Sequence, residues 1–184
     1  MEIRIIVLLL ILTSGLTIAQ ASDTIIKPIK KEFFPLEVGN KYIYEIKTRR
    51  KVLRYDTVEI IVKFKLGNYT GFGFKNDVTY FMKGDSIYQK YPHQSGQSFG
   101  YNLLYYQTYR DSEYPYFIGD CVITTVYSSY LKTYKIGNKI YKNCFKFSFN
   151  NGEWPSAVII AYGIGIIQTI KNGEFRNLIA IDLK

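Results

Sequence analysis

Histidine is almost missing from this chain: His93 is the only one in 184 residues. A Ser-His-Asp arrangement would have to use it. It sits in the loop-like stretch Tyr91-Pro92-His93-Gln94-Ser95-Gly96, with no nucleophile or acid placed beside it, and reads as a surface-loop residue. Cysteine is nearly as scarce, and one histidine with the two separated cysteines Cys121 and Cys144 matches no zinc spacing. No D-x-D-x-D-G calcium loop occurs. Asp111, Glu113 and Asp120 fall in a tyrosine-rich segment that reads as a solvated loop, with no spacing diagnostic of a glycosidase. The glycines of Gly71-Phe72-Gly73-Phe74 and Gly163-Ile164-Gly165-Ile166 stop short of G-x-G-x-x-G and lead into no helix. They form no phosphate cradle, and in strands such glycines mark a bulge or a tight bend. Catalysis, a metal and a cofactor are therefore not expected.

Long apolar runs are lacking too. The run Ile5 to Leu12 is shorter than the ~20 residues a membrane-spanning helix needs. Preceded by Arg4 and followed by Ala19-Gln20-Ala21, it has the layout of a secretory signal cleaved after Ala21. No cysteine follows the run, which argues against a lipid anchor. The expected plan is a signal peptide over 1–21, an extended lead-in over 22–32 and one β-domain over 33–184. The protein is expected to be exported to the periplasm, the cell envelope or the medium, with no transmembrane helix in the mature chain.

What the chain does have is positive charge, +9 net, and aromatic side chains, 17% of residues with 18 tyrosines. A basic exported protein can meet anionic lipid headgroups, acidic polysaccharide or nucleic acid.

The most informative stretch is Cys121 to Phe149, a long β-hairpin with Gly137-Asn138 at its tip. Glycine supplies the positive φ that the first position of a type II′ turn requires. That turn sets Ile136 opposite Lys139, then Tyr134 opposite Tyr141, Tyr130 opposite Phe145 and Val126 opposite Phe149. These pairs share one side because strand side chains alternate with period two. The other side carries Lys135, Thr133, Ser129, Lys142 and Lys146, with Leu131 opposite Cys144. The same register places Cys144 ten residues along the strand from Cys121, roughly 33 Å, whereas bridged Cα atoms lie within about 7 Å. Two free thiols are expected.

Elsewhere, Lys41 to Thr48 puts Tyr42, Tyr44 and Ile46 on one face and Lys41, Glu45 and Lys47 on the other. Val58 to Leu66 alternates most cleanly, with Val58, Ile60, Val62, Phe64 and Leu66 on one face and Glu59, Lys63 and Lys65 on the other. Further strands are expected at 70–74, 78–83, 86–91, 99–107, 158–162, 165–171 and 178–183, separated by Gly/Asn/Asp turns. Short strands at this spacing indicate an all-β fold: a single antiparallel domain built as a strongly curved sheet, half-barrel or sandwich.

The segment F-P-L-E-V-G-N-K-Y-I-Y at 34–44 resembles the opening of a group of small exported bacterial β-proteins, which begin with F-P-L-x-x-G-N-x-[WY]-x-Y. The similarity continues at G-N-K-I-Y-K-N-C-F-K-F (137–147) and ends at Y-G-I-G-I-I (162–167), where the group has a G-x-G-[LI]-[VI] strand. The chain departs in having Tyr42 where tryptophan is common and in lacking a proline near Gly163. The resemblance implies an exported all-β domain and no catalytic residue.

Two surfaces are candidates for function. Lys47, Arg49, Arg50, Lys51 and Arg54 form a basic run at the turn between two strands. It is either a solvated hairpin end or a dock for an anionic surface. It lacks the stacking platforms of a nucleic-acid binder, and no nucleic-acid partner is expected. Between Tyr88 and Phe117 tyrosines abound, and Tyr105, Tyr106, Tyr109, Tyr114 and Tyr116 are the candidate rim of a groove. Phe145 and Phe147 are expected as core. The reading that follows is non-catalytic binding of an apolar or amphiphilic ligand, a glycan or a protein partner at the cell envelope. A small eight-stranded outer-membrane barrel is the alternative, and a hydrolase the third.

Overall fold

The structure, a computed structural model, describes residues 23–28, 32–75, 79–92, 99–118, 121–150 and 156–183. The signal segment with its cleavage point, His93 and Asp120 lie outside the described residues. In chain order the strands are β1 (Thr24–Ile26), β2 (Lys41–Lys47), β3 (Val52–Leu66), β4 (Tyr69–Phe74), β5 (Thr79–Lys83), β6 (Ser86–Pro92), β7 (Phe99–Tyr106), β8 (Ser112–Ile118), β9 (Cys121–Ile136), β10 (Lys139–Phe149), β11 (Ala157–Ala161), β12 (Gly165–Lys171) and β13 (Glu174–Asp182). No helix occurs among the described residues.

Twelve strands form one antiparallel path in the order β7-β6-β5-β4-β3-β2-β13-β12-β11-β10-β9-β8, and β1 adds to β10 in parallel. Chain neighbours pair as hairpins, and pairing of β13 with β2 brings the two halves of the chain together. The sheet curls into a nearly closed barrel. Its two ends, β7 and β8, meet through side chains in place of a backbone ladder. The Tyr114 hydroxyl donates to the Leu104 carbonyl at 2.8 Å, the Tyr106 and Ser112 hydroxyls bond to each other, and the Tyr106 and Tyr114 rings lie 5.1 Å apart. The long strands β3 and β9 turn the corners, each pairing with one neighbour over its first half and another over its second.

The hairpin register is as the turn dictates. Ile136 pairs with Lys139, Tyr134 with Tyr141, Tyr130 with Phe145 and Val126 with Phe149, and Gly137 carries φ 59°. Phe145, Phe147 and Val126 are fully buried and join Val158, Ile160, Ile87 and Leu104 in the barrel interior. The hairpin's other side is not all solvated: Cys144 is buried as a free thiol, opposite Ala161 of β11 as well as Leu131.

The structure adds to or corrects four expectations. The lead-in contains a paired strand. β11 pairs with β10 only from Cys144 to Ser148, and β1 covers part of the backbone edge this leaves, with Thr24, Ile25 and Ile26 against Lys139, Ile140 and Tyr141. The segment following it sends Phe33, Phe34 and Leu36 into the core, where Phe33 meets Phe145 edge-on at 5.3 Å.

Second, the alternation from Val58 to Leu66 does not keep one face. A bulge between Ile60 and Val62 reverses the parity, so Ile60 is buried while Val62, Phe64 and Leu66 point outward. Gly71 and Gly73 make room for them: a Cβ on Gly71 would lie 2.4 Å from the Phe64 ring, and one on Gly73 2.6 Å from Val62. Third, the acidic segment from Asp111 is not a loop. Ser112 to Ile118 is strand β8, and Pro115 is tolerated there because β8 ends the path. Fourth, an eight-stranded outer-membrane barrel is not what forms. Among the described residues the ring holds twelve strands, not eight, and Phe72, Phe74, Phe145 and Phe147 lie in its core while Val62, Phe64 and Leu66 face outward.

Candidate functional site

The barrel interior is not filled everywhere. A cavity of about 140 Å³ is lined by Tyr42 and Tyr44 of β2, Asp56 and Val58 of β3, Phe74 of β4, Tyr80 of β5, Ile166 of β12, Arg176 of β13, and Phe34 and Leu36 of the segment before β2. Pairing explains the convergence. Tyr44 lies opposite both Asp56 and Leu178, and Ile46 opposite both Arg54 and Arg176, so inward positions of three adjacent strands share one face.

Most of the wall is apolar, with one polar focus. Arg176 Nη2 donates to Asp56 Oδ2 at 2.7 Å, and the Arg176 guanidinium stacks 4.2 Å from the Tyr44 ring centre. Both ion-pair side chains are about a third exposed, 31% and 35%, which places the pair on the solvent side of the cavity. Arg176 Nε is buried and has no hydrogen-bond partner among the described residues. Leaving such a donor unmade costs about 1–3 kcal/mol, so an incoming acceptor would relieve a standing penalty. The tyrosine hydroxyls are mostly committed to the frame. Tyr42 donates to the Pro35 carbonyl at 2.6 Å and Tyr44 to the Ile166 carbonyl at 3.0 Å. The first of these ties the incoming Phe34–Leu36 segment to β2.

Burial sets the ionisation of these groups. It pushes Tyr42 up to about 12, partly opposed by a hydrogen bond with the Asn40 side chain. It raises Tyr44 and Tyr80 as well, against the pull of the Arg176 charge. All three stay protonated at neutral pH and can act as walls and donors, not as bases. The Cys144 thiol is likewise pushed up to about 12 by burial and is not a thiolate at neutral pH.

The five candidate tyrosines do not form one rim. Tyr105 and Tyr116 are core residues; Tyr105 packs 5.0 Å from Phe147, and burial raises its ionisation well above the ordinary range. Tyr106 and Tyr114 are half-buried in the β7–β8 closure, and burial raises Tyr114 too. Only Tyr109, at 60% exposure, stands at a rim, its ring 5.0 Å from Tyr130 and 5.6 Å from Phe145. The basic run also splits. Lys47, Arg49, Arg50 and Lys51 stay together at the β2–β3 turn. A bulge between Ile46 and Lys47 sets Arg54 opposite Ile46, on the other face of the sheet.

Sequence reasoning missed Asp56 and Arg176. A signal existed: Asp56 has the same parity as Val58 and Ile60, and Arg176 the same parity as Leu178. A charge in an apolar row marks a polar spot on a buried face.

The chain matches no protein-family model and no curated protein. Among solved structures, a "putative lipoprotein" from Parabacteroides distasonis aligns with TM-score 0.43 and 9% identity over 83% of this chain and 99% of that one.

Proposed function

We propose that this chain is an exported, non-catalytic β-domain whose inner cavity captures a small amphiphilic ligand. The apolar body lies against Phe34, Leu36, Val58, Phe74 and Tyr80, and the polar head accepts a hydrogen bond from Arg176 Nε. The observation that carries this reading is the buried Arg176 Nε, without a hydrogen-bond partner among the described residues, beside a cavity whose walls, Asp56 apart, are mostly apolar. A volume of about 140 Å³ is close to that of an engineered apolar cavity of ~150 Å³ that takes benzene, so the ligand is a single ring or a short chain. The free Nε donor favours an aromatic or short aliphatic ligand with an acceptor oxygen, such as a carboxylic acid, over a hydrocarbon of the same size. Export is supported by the signal-like layout of residues 1–21 and by the motif resemblance at 34–44; N-terminal analysis of exported protein should begin at Ser22.

Calorimetric titration with benzoate, hexanoate and toluene tests the binding reading. Benzoate or hexanoate should bind wild type more tightly than toluene. Val58→Phe, which fills the cavity with apolar atoms, should abolish binding while the chain stays folded. Equal binding by Val58→Phe, or no heat from any probe with wild type, would overturn the proposal.

A further inference from the structure

A second site lies at the β2–β3 turn, beside the face of β2 and β13 that carries Glu45 and Asn177, opposite to Tyr44 and Arg176. The β2–β3 turn is locally braced: the Arg50 and Lys51 amides both donate to Thr48 Oγ1 at 3.3 Å, and the Thr48 amide donates to the Lys51 carbonyl at 3.0 Å. The turn and the tip of the β9–β10 hairpin, Lys135 to Gly137, form the two walls of an open groove of about 450 Å³. Its floor is polar and ordered. Tyr134 Oη donates to Gln168 Oε1 at 2.6 Å, and Gln168 Nε2 donates to Asn177 Oδ1 at 2.7 Å. The network occupies the Asn177 carbonyl and leaves its amide N–H groups for the groove it lines.

The cations differ in how far they are already neutralised. Lys47 pairs with Glu45 at 3.0 Å and Lys135 with Asp23 at 2.7 Å. Among the described residues, no carboxylate pairs with Arg49, Arg50 or Lys51. Next to the groove, direct cross-strand pairing sets Tyr55, Glu45, Asn177 and Gln168 in one row across β3, β2, β13 and β12. At ~4.8 Å between strands the row spans roughly 14 Å. Its outer end, Tyr55, is 64% exposed. An exposed aromatic ring beside the groove, buried amides on its floor, a row carboxylate already paired with Lys47, and guanidinium groups on the turn wall suit a polar, flat-faced, negatively charged chain molecule.

We propose that this groove binds an acidic oligosaccharide. A sugar face stacks on Tyr55, hydroxyls meet the Asn177 amide, and carboxylate or sulfate groups are held by Arg49, Arg50 and Lys51. Concavity and a buried amide floor favour a soluble glycan over a flat lipid surface, which would meet the rim cations but not the floor. The site is independent of the inner cavity, because Arg176 and Asp56 face inward while Asn177 and Glu45 face outward.

Calorimetric titration of the mature chain with an oligogalacturonide, a short sulfated dextran and neutral maltooligosaccharide tests this, with phosphatidylglycerol vesicles as the lipid arm. Acidic oligosaccharides should bind and the neutral one should not. An Arg49→Ala, Arg50→Ala, Lys51→Ala variant should lose at least ~10-fold in affinity, whereas removing the same charge at exposed Lys75, Lys132 and Lys142 should cost less than ~2-fold. Tyr55→Ala should weaken oligosaccharide binding without changing net charge. All these side chains are exposed, so far-ultraviolet circular dichroism should be unchanged. Equal losses in the two charge-removal variants would reduce the effect to net charge and overturn the site. Vesicle binding without oligosaccharide binding, or no effect of Tyr55→Ala, would overturn it too.

Discussion

Phe145→Ala is the sharpest probe of whether the aromatic side of the hairpin is a sealed core. Phe145 has no exposed surface; it lies opposite Tyr130 and Ile160 and meets the Phe33, Tyr130 and Tyr109 rings at 5.3, 5.5 and 5.6 Å. Truncation removes the ring's burial and leaves a cavity whose walls belong to four separate segments, so little collapse is available. The expected loss is about 3–5 kcal/mol. At roughly 2–4 °C per kcal/mol for a chain of this size, the melting temperature should fall by about 6–20 °C. Urea denaturation followed by tryptophan and tyrosine fluorescence, with calorimetry for the melting temperature, reads both. Tyr109→Ala is the control, because Tyr109 touches the same ring but is mostly exposed, and it should cost less than ~1 kcal/mol. A cycle with Phe33→Ala should give a coupling of about 0.5–1.5 kcal/mol for the edge-on pair. A loss below ~1 kcal/mol for Phe145→Ala, with an unchanged denaturant slope, would mean that this side is open and the packing described is wrong.

Two more outcomes follow from the geometry. Gly71→Ala should destabilise the wild type, since its Cβ meets the Phe64 ring at 2.4 Å, but should be neutral or better once Phe64→Ala removes the ring; denaturation of the two single variants and the double shows whether the costs fail to add. Burial raises Tyr42 and Tyr141 from 10.0 and Cys144 from 9.0, each to about 12, so the unfolded chain ionises first. The stability they contribute is whole below pH 9 and is lost as pH rises towards 12. Tyrosinate absorbance should therefore rise cooperatively with loss of circular dichroism over that window, and at neutral pH Cys144 should be alkylated only after denaturant is added. Stepwise tyrosine titration in a still-folded chain would contradict this.

What the amino-acid order determined by itself was local. The Gly137-Asn138 turn and the period-two pattern behind it are enough to pair Tyr130 with Phe145, because turn geometry and one buried face allow a single register. The same holds for β2, where Tyr42, Tyr44 and Ile46 alternate with Lys41, Ile43, Glu45 and Lys47 over seven residues. Period-two reasoning failed where one residue is inserted. Past Ile60 the bulge turns Val62, Phe64 and Leu66 outward, and the space for them comes from glycines on a neighbouring strand. Edges were also illegible: β1 and β8 are short or proline-bearing and form because a particular strand edge lies open beside them. The tyrosines of β7, β8 and the connection between them looked alike in sequence, and only curvature decided that Tyr105 and Tyr116 enter the core while Tyr109 stays outside. The two candidate sites depend on closure most of all. Asp56 and Arg176, 120 residues apart, meet because β13 pairs with β2 and β2 with β3. A pairing between the ends of a chain leaves no periodic trace in either end. Composition announced charge and aromatic rings; the closing of the sheet chose which of them line the cavity and the groove.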